Sequence, residues 1–175
     1  PPRGEARRAA DPFIRAKATA IMSDEGNIIT GLGLEAPAPN GEDTMPTAGF
    51  IMQYVKDLSV ENPNAPAAFQ WQDTPQIDVQ FNIGAQNVGD GVHEVELKIV
   101  IKSVGQQGTA FLVDLAYAGL VGMRNMDEAH QHAFIYAEAP RILFPFARRV
   151  ISDAVRDAGF APLLLEPIDF NGLYL

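Results

Sequence analysis

Val92-His93-Glu94-Val95-Glu96-Leu97-Lys98-Ile99-Val100-Ile101-Lys102 alternates apolar and charged residues with a period of two. Val95, Leu97, Ile99 and Ile101 share one side, and Glu94, Glu96, Lys98 and Lys102 share the other. Successive side chains of a strand point to opposite faces, so this is a β-strand with one face buried and one wet. The same period recurs on both sides of it. Residues 76–83 set Ile77, Val79, Phe81 and Ile83 against Asp78, Gln80 and Asn82. Residues 109–118 set Phe111, Val113, Leu115 and Tyr117 against Ala110, Leu112, Asp114 and Ala116. Residues 50–61 set Phe50, Met52, Tyr54, Leu58 and Val60 against Gln53, Asp57, Ser59 and Glu61, interrupted by Lys56.

The links between these strands predict their order. Asn87-Val88-Gly89-Asp90-Gly91 and Gly105-Gln106-Gln107-Gly108 are short hairpin loops, so strands two to four run antiparallel. The link from strand one to strand two is long, which predicts a Greek-key crossover with strand one beside strand four. Asp57 and Glu61 then neighbour Leu112 and Asp114 on the outer face, as an acidic patch with an apolar residue in it.

Helical signals follow the strands. Asn125 with Glu128 three residues on has the pattern of a capping box. Pro140 is expected to end or kink that helix, and Pro145 to restart one. Phe146, Val150, Ile151 and Val155 recur at helical spacing until Gly159 and Pro162. The predicted class is α+β: a four-stranded antiparallel Greek-key sheet, then a long kinked helix and a C-terminal helix.

Composition narrows the function classes. The chain has 175 residues and no cysteine, so a disulfide framework and thiolate metal sites are excluded. A reducing cytoplasm is compatible with that. No apolar run approaches the ~20 residues that span a bilayer. Of the 13 basic and 22 acidic residues, residues 1–22 hold five and two. Residues 23–175 are left with 8 basic and 20 acidic, a body that repels nucleic acid and anionic lipid. Residues 1–47 are rich in Pro, Gly, Ala and Thr without sustained period and are expected to be a disordered extension. Met22-Ser23-Asp24-Glu25 has the look of a natural start, with residues 1–21 upstream of it. The folded domain is expected over residues 48–175.

No sequence pattern points to catalysis. His130 and His132 stand two apart, and on a helix i and i+2 face nearly opposite ways, so they do not share a metal. His93, beside the turn before strand three, is expected to face solvent. Asp153 and Asp157 near Arg149 and Arg156 fit a solvated helix face. No G-x-S-x-G, Walker A, G-x-G-x-x-G or H-E-x-x-H motif occurs. No enzyme, cofactor or metal is expected. Trp71, in a long polar link with Phe69 nearby, is the candidate for an exposed apolar binding surface.

Several segments together resemble the SecB family of export chaperones. They are Glu61-Asn62-Pro63-Asn64-Ala65-Pro66 with Phe69 after it, Thr109-Ala110-Phe111-Leu112, Ile142-Leu143-Phe144-Pro145-Phe146-Ala147-Arg148, and Leu165-Glu166-Pro167-Ile168-Asp169-Phe170. The resemblance covers about residues 50–175. It implies a cytoplasmic holdase that keeps unfolded precursor proteins export-competent and hands them to the SecA motor. It implies a homotetramer, a dimer of dimers, with Val113, Leu115 and Tyr117 at positions that help assemble it. It places the SecA contact on Asp57, Glu61, Leu112 and Asp114, and client binding on Phe69 and Trp71. Family members often carry a polar C-terminal tail aiding SecA contact, and this chain stops at Leu175, so the resemblance implies a second contact that is absent or weakened. The alternative is a SecB-like chaperone devoted to one client, such as an antitoxin, which need not keep the acidic patch.

Overall fold

The computed structural model describes residues 44–175. The expected extension and natural start lie largely or wholly outside the described residues. The four strands are β1 (Thr47–Glu61), β2 (Gln76–Gly89), β3 (Val92–Gly105) and β4 (Gly108–Arg124). All pairs are antiparallel and the order is β1-β4-β3-β2, which is the Greek-key arrangement. The β2–β3 turn uses positive φ at Gly89, Asp90 and Gly91, as its glycine content requires.

The inner face of the sheet is the core. Val95, Leu97, Ile99 and Ile101 of β3 lie beside Val113, Leu115 and Tyr117 of β4, all buried. In β1 the alternation shifts twice, at irregularities between Phe50 and Met52 and between Val55 and Asp57. A one-residue insertion moves the following side chains to the other face. Met52 and Tyr54, expected inward, therefore stand opposite Leu120 and Ala118 on the outer face. Gln53 and Val55 turn inward, opposite Gly119 and Tyr117. Leu58 and Val60 stay inward, and Asp57, Ser59 and Glu61 outward.

Three helices follow: α1 (Glu128–Ala133), α2 (Ala139–Asp157) and α3 (Phe170–Tyr174), with a π-helical turn, Phe134–Glu138, joining the first two. The cap of α1 is Asp127 rather than Asn125; its carboxylate accepts from His130 N–H at 2.8 Å. Asn125 instead takes a positive φ and donates to the Met45 carbonyl at 3.1 Å. Neither proline breaks the helix. Ala139 N–H bonds the Phe134 carbonyl five residues back. That wider turn directly before Pro140 accommodates the ring and missing N–H that would otherwise disrupt the ladder. Pro145 lies inside α2, on its exposed side.

One face of α2 meets the sheet through Leu143, Phe144, Ala147, Ile151 and Val155, at the i, i+4, i+8 spacing of an amphipathic helix. Gly159 ends it with φ +97°. Phe160 N–H bonds the Val155 carbonyl and Gly159 N–H the Arg156 carbonyl, the paired bonds of a Schellman cap. Beyond it Leu165 and Phe170 return to the core, and Asp169 caps α3 by accepting from Gly172 N–H at 3.0 Å.

Val113 and Leu115 are 0% exposed within one chain, and Tyr117 is buried beside them, all in the core on the face that α2 covers. His93 departs from its expected exposure: it pairs with Val121 and is half-buried, with Nδ1 out of solvent.

Candidate functional site

Two surfaces emerge, one on each side of the sheet. On the outer face, Glu61 is opposite Leu112, Ser59 opposite Asp114, and Asp57 opposite Ala116. The register thus brings Asp57, Glu61, Leu112 and Asp114 into one patch at the β1–β4 end. Asp57 and Glu61 are exposed, Leu112 and Asp114 half-buried. Across β4 the same rows continue into Lys102 and Lys98 of β3. The acidic patch is therefore bounded by lysines on one side and by the open edge of β1 on the other.

Further along that face is a cluster that the expected β1 pattern could not place. The Tyr54 hydroxyl donates to Glu94 Oε2, and Lys56 Nζ reaches Glu94 at 2.5 Å and Glu96 at 3.3 Å. The Lys56 ammonium, then the Tyr54 hydroxyl, hold the Glu94 carboxyl below the usual carboxylate range. Burial, then the bond to Glu94, push the Tyr54 phenol up. Because the folded Glu94 pKa is depressed, its stabilisation is complete above the unfolded carboxylate pKa. It is lost as pH falls through the lower folded value. Tyr54→Phe removes one donor, and the Glu94 midpoint is expected to move up in a carboxyl-carbon NMR titration. An unmoved midpoint refutes the contact.

The second surface is a groove of about 500 Å³ at the end of α2. The long link supplies Phe69 and Trp71, β2 supplies Ile77, β4 supplies Phe111, and the chain after α2 supplies Phe160. Phe160 lies between two rings, its centroid 5.2 Å from Phe69 and 5.0 Å from Phe111. Such offsets are the favourable tilted aromatic contacts. Phe69 is nonetheless 49% exposed.

The asparagine–proline segment holds this groove open at its ends. Asn62 Nδ2 donates to the Ala158 carbonyl at 2.8 Å, satisfying a free carbonyl at the end of α2. Asn64 Nδ2 donates to the Thr109 carbonyl at 2.8 Å, and Asp73 Oδ2 accepts from Gln106 N–H at 2.7 Å. The link is thus tied to the helix end, to β4 and to the β3–β4 turn. Trp71 was the aromatic read as exposed, and it is half-buried against the core, while Phe69, placed here by the family resemblance, is the exposed ring. Their partners Ile77, Phe111 and Phe160 come from three other elements, and only the topology brings them together.

The remaining polar candidates form no shared centre. His130 Nδ1 contacts Asp127 Oδ1 at 2.6 Å and His132 Nδ1 contacts the Tyr174 hydroxyl at 2.9 Å, so the two histidines diverge. Asp153 pairs with Arg149 at 3.9 Å and Arg156 at 3.4 Å on an exposed helix face. Exposed pairs of that spacing are worth a few tenths of a kcal/mol, about 0.3–0.5.

The family described as preprotein translocase subunit SecB matches residues 41–175. The chain is 63% identical over 155 residues to the protein-export protein SecB of Novosphingobium aromaticivorans, covering 88% of this chain and 90% of that protein. It is 61% identical over 155 residues to the corresponding protein of Erythrobacter litoralis, covering 88% and 87%. A solved structure of the Mycobacterium tuberculosis SecB-like chaperone with a ChAD peptide from the HigA1 antitoxin aligns with a TM-score of 0.58. It shares 19% identity and covers 69% of this chain and 90% of that one, a likeness of fold.

Proposed function

This chain belongs to the SecB family, and from that premise we propose that it is an export holdase. It binds unfolded precursor proteins in the cytoplasm, keeps them extended, and delivers them to SecA. The observation that carries the client-binding step is the aromatic groove with Phe69 half-exposed at its mouth. An exposed concave apolar surface of this kind marks a binding site. Extended chains enter such grooves through apolar contacts with little sequence preference. Binding of this sort is passive and calls for no catalytic group. Among the described residues no helix is long and apolar enough to cross a membrane.

The acidic patch at Asp57, Glu61, Leu112 and Asp114 is the proposed SecA contact. Its exposed carboxylates suit a basic partner surface. The patch also favours the export reading over a chaperone devoted to one antitoxin, which has no need of it. The relatives named protein-export protein SecB support the same choice.

Assembly as a dimer of dimers is part of the proposal. Val55, Leu58 and Val60 leave apolar surface exposed along the edge strand β1, and Phe146 does so on α2. These join Val113, Leu115 and Tyr117, the positions that the family resemblance implies, as support for contacts between copies. Light scattering that gives the mass of one chain removes this part.

The test of the whole is a titration of the purified protein, without nucleotide, against one secretory precursor. One sample holds the precursor unfolded and the other folded. Binding of the unfolded form alone is expected; binding of neither form, or of both alike, overturns the holdase reading. Trp71→Ala is expected to weaken that binding about fivefold, the effect of truncating one aromatic contact, and to spare SecA. The reverse pattern removes the loop from the groove.

A further inference from the structure

Two buried polar atoms in the aromatic groove have no hydrogen-bond partner among the described residues, and they are of complementary kind. Ser103 is 0% exposed, a polar side chain in an otherwise apolar core. It lies on the inner face between Ile77 of β2 and Phe111 of β4, where the groove begins. Its Oγ makes no hydrogen bond among the described residues. Asp73 lines the same groove. While its Oδ2 accepts from Gln106 N–H, its Oδ1 is buried without a partner among the described residues. The carboxylate lies against Gly105, where an added Cβ would stand 2.5 Å from Oδ2. Gly105 is two positions beyond Ser103 on β3, a separation of roughly 6.6 Å along a strand.

Buried polar groups are normally hydrogen-bonded, and leaving one unpaired costs stability. A valine or alanine at position 103 would continue the apolar row of β3 without that cost. A serine hydroxyl can donate, and an ionised carboxylate can only accept. Every residue of a polypeptide other than proline offers the matching pair, one C=O and one N–H. An extended segment repeats them at the same spacing as β3.

We infer that Ser103 Oγ and Asp73 Oδ1 anchor the backbone of a bound, extended client segment. Ser103 donates to a client carbonyl, and Asp73 accepts a client N–H. This rests on the holdase reading and deepens it. Aromatic walls alone select apolar side chains, whereas a donor and an acceptor for backbone groups engage any sequence that can lie extended. Ser103 is closed from solvent in the free chain, so its anchor engages only as the incoming segment spreads the groove.

The experiment measures Ser103→Ala beside the wild type, by thermal melting and by titration with a fluorescently labelled, unfolded secretory precursor. The expected result is an unchanged or raised Tm together with a Kd weakened about fivefold, the loss of one hydrogen bond. An equal or tighter Kd for Ser103→Ala, with wild type binding normally, overturns the anchor and leaves the holdase reading standing. A weaker Kd accompanied by a lowered Tm also overturns it, because a structural role alone then accounts for both. If the wild type itself does not bind the unfolded precursor, the holdase reading falls and the anchor with it.

Discussion

Gly119→Ala is expected to destabilise the protein by roughly 2 kcal/mol and Gly119→Val by roughly 3, the upper range of overpacking costs. Gly122→Ala, three residues along the same strand, is expected to change stability by less than about 1 kcal/mol. The contrast comes from what a new Cβ would meet. At Gly119 it would lie 2.5 Å from Phe50 Cε1, 2.7 Å from Phe50 Cδ1 and 3.1 Å from Leu143 Cδ2. At Gly122 the nearest atom is Ile51 Cδ1 at 3.6 Å, ordinary contact. Gly119 faces inward opposite Val95 and Gln53, and its missing side chain lets Phe50 pack over β4 where α2 brings Leu143 down. Shifting that ring disturbs the seat of α2 on the sheet. Urea denaturation at constant m-value measures both variants. A loss at Gly119→Ala no larger than at Gly122→Ala would mean that Phe50 and Leu143 do not close over this glycine.

The same region shows which features of the fold were legible. Strict alternation in β2, β3 and β4, with glycines in the two hairpin turns, was enough for the sheet and its Greek-key order. β1 was harder, because Ile51 and Val55 put apolar residues on both faces of residues 50–55 and Gln53 is the one wholly polar side chain among them. The bulge among Phe50, Ile51 and Met52 turns Gln53 inward, opposite Gly119, and no charged residue marks it. Lys56 was the one visible interruption, and it marks the second bulge. Had it been read so, Tyr54 would have fallen beside Glu94 on the outer face.

At Pro140 the expected interruption takes the form of a π-turn, which alters the α-helical ladder without ending the helix. Pro145 departs from its expected place at a helix start and lies inside α2. At the start of α1, Asn125 was the expected cap, and the left-handed turn there gives the role to Asp127. The acidic patch was legible because register follows from alternation once β1 neighbours β4. Alternation also set Val113, Leu115 and Tyr117 on the face that α2 covers, where they are buried within one chain. Ser103 closes an apolar row at a strand end, where the sequence gives no sign that its hydroxyl is buried.

Asp57→Lys combined with Glu61→Lys is expected to weaken SecA binding roughly 100-fold at low salt, since like-charge juxtaposition across an interface costs several kcal/mol. Binding of an unfolded client should stay within about twofold, because the groove is on the other side of the sheet. The geometry makes reversal more severe than neutralisation. The row Glu61–Leu112 continues into Lys102, and the row Asp57–Ala116 continues into Lys98. With the two carboxylates in place, the lysines are the border of a negative patch. With both reversed, the same rows become one basic field across β1, β4 and β3, and Asp114 alone stays acidic within it. The substitutions fall on exposed positions of an edge strand, where lysine is well tolerated, so the fold should persist. Salt supplies the internal check. The screening length falls from about 30 Å at 0.01 M to about 8 Å at 0.15 M, so the gap between variant and wild type should narrow as salt rises. A gap that ignores salt would trace the loss to altered shape rather than charge. Equal affinities at low salt would take the SecA contact off this face altogether, and the search would move to the edge of β1 and the exposed side of α2.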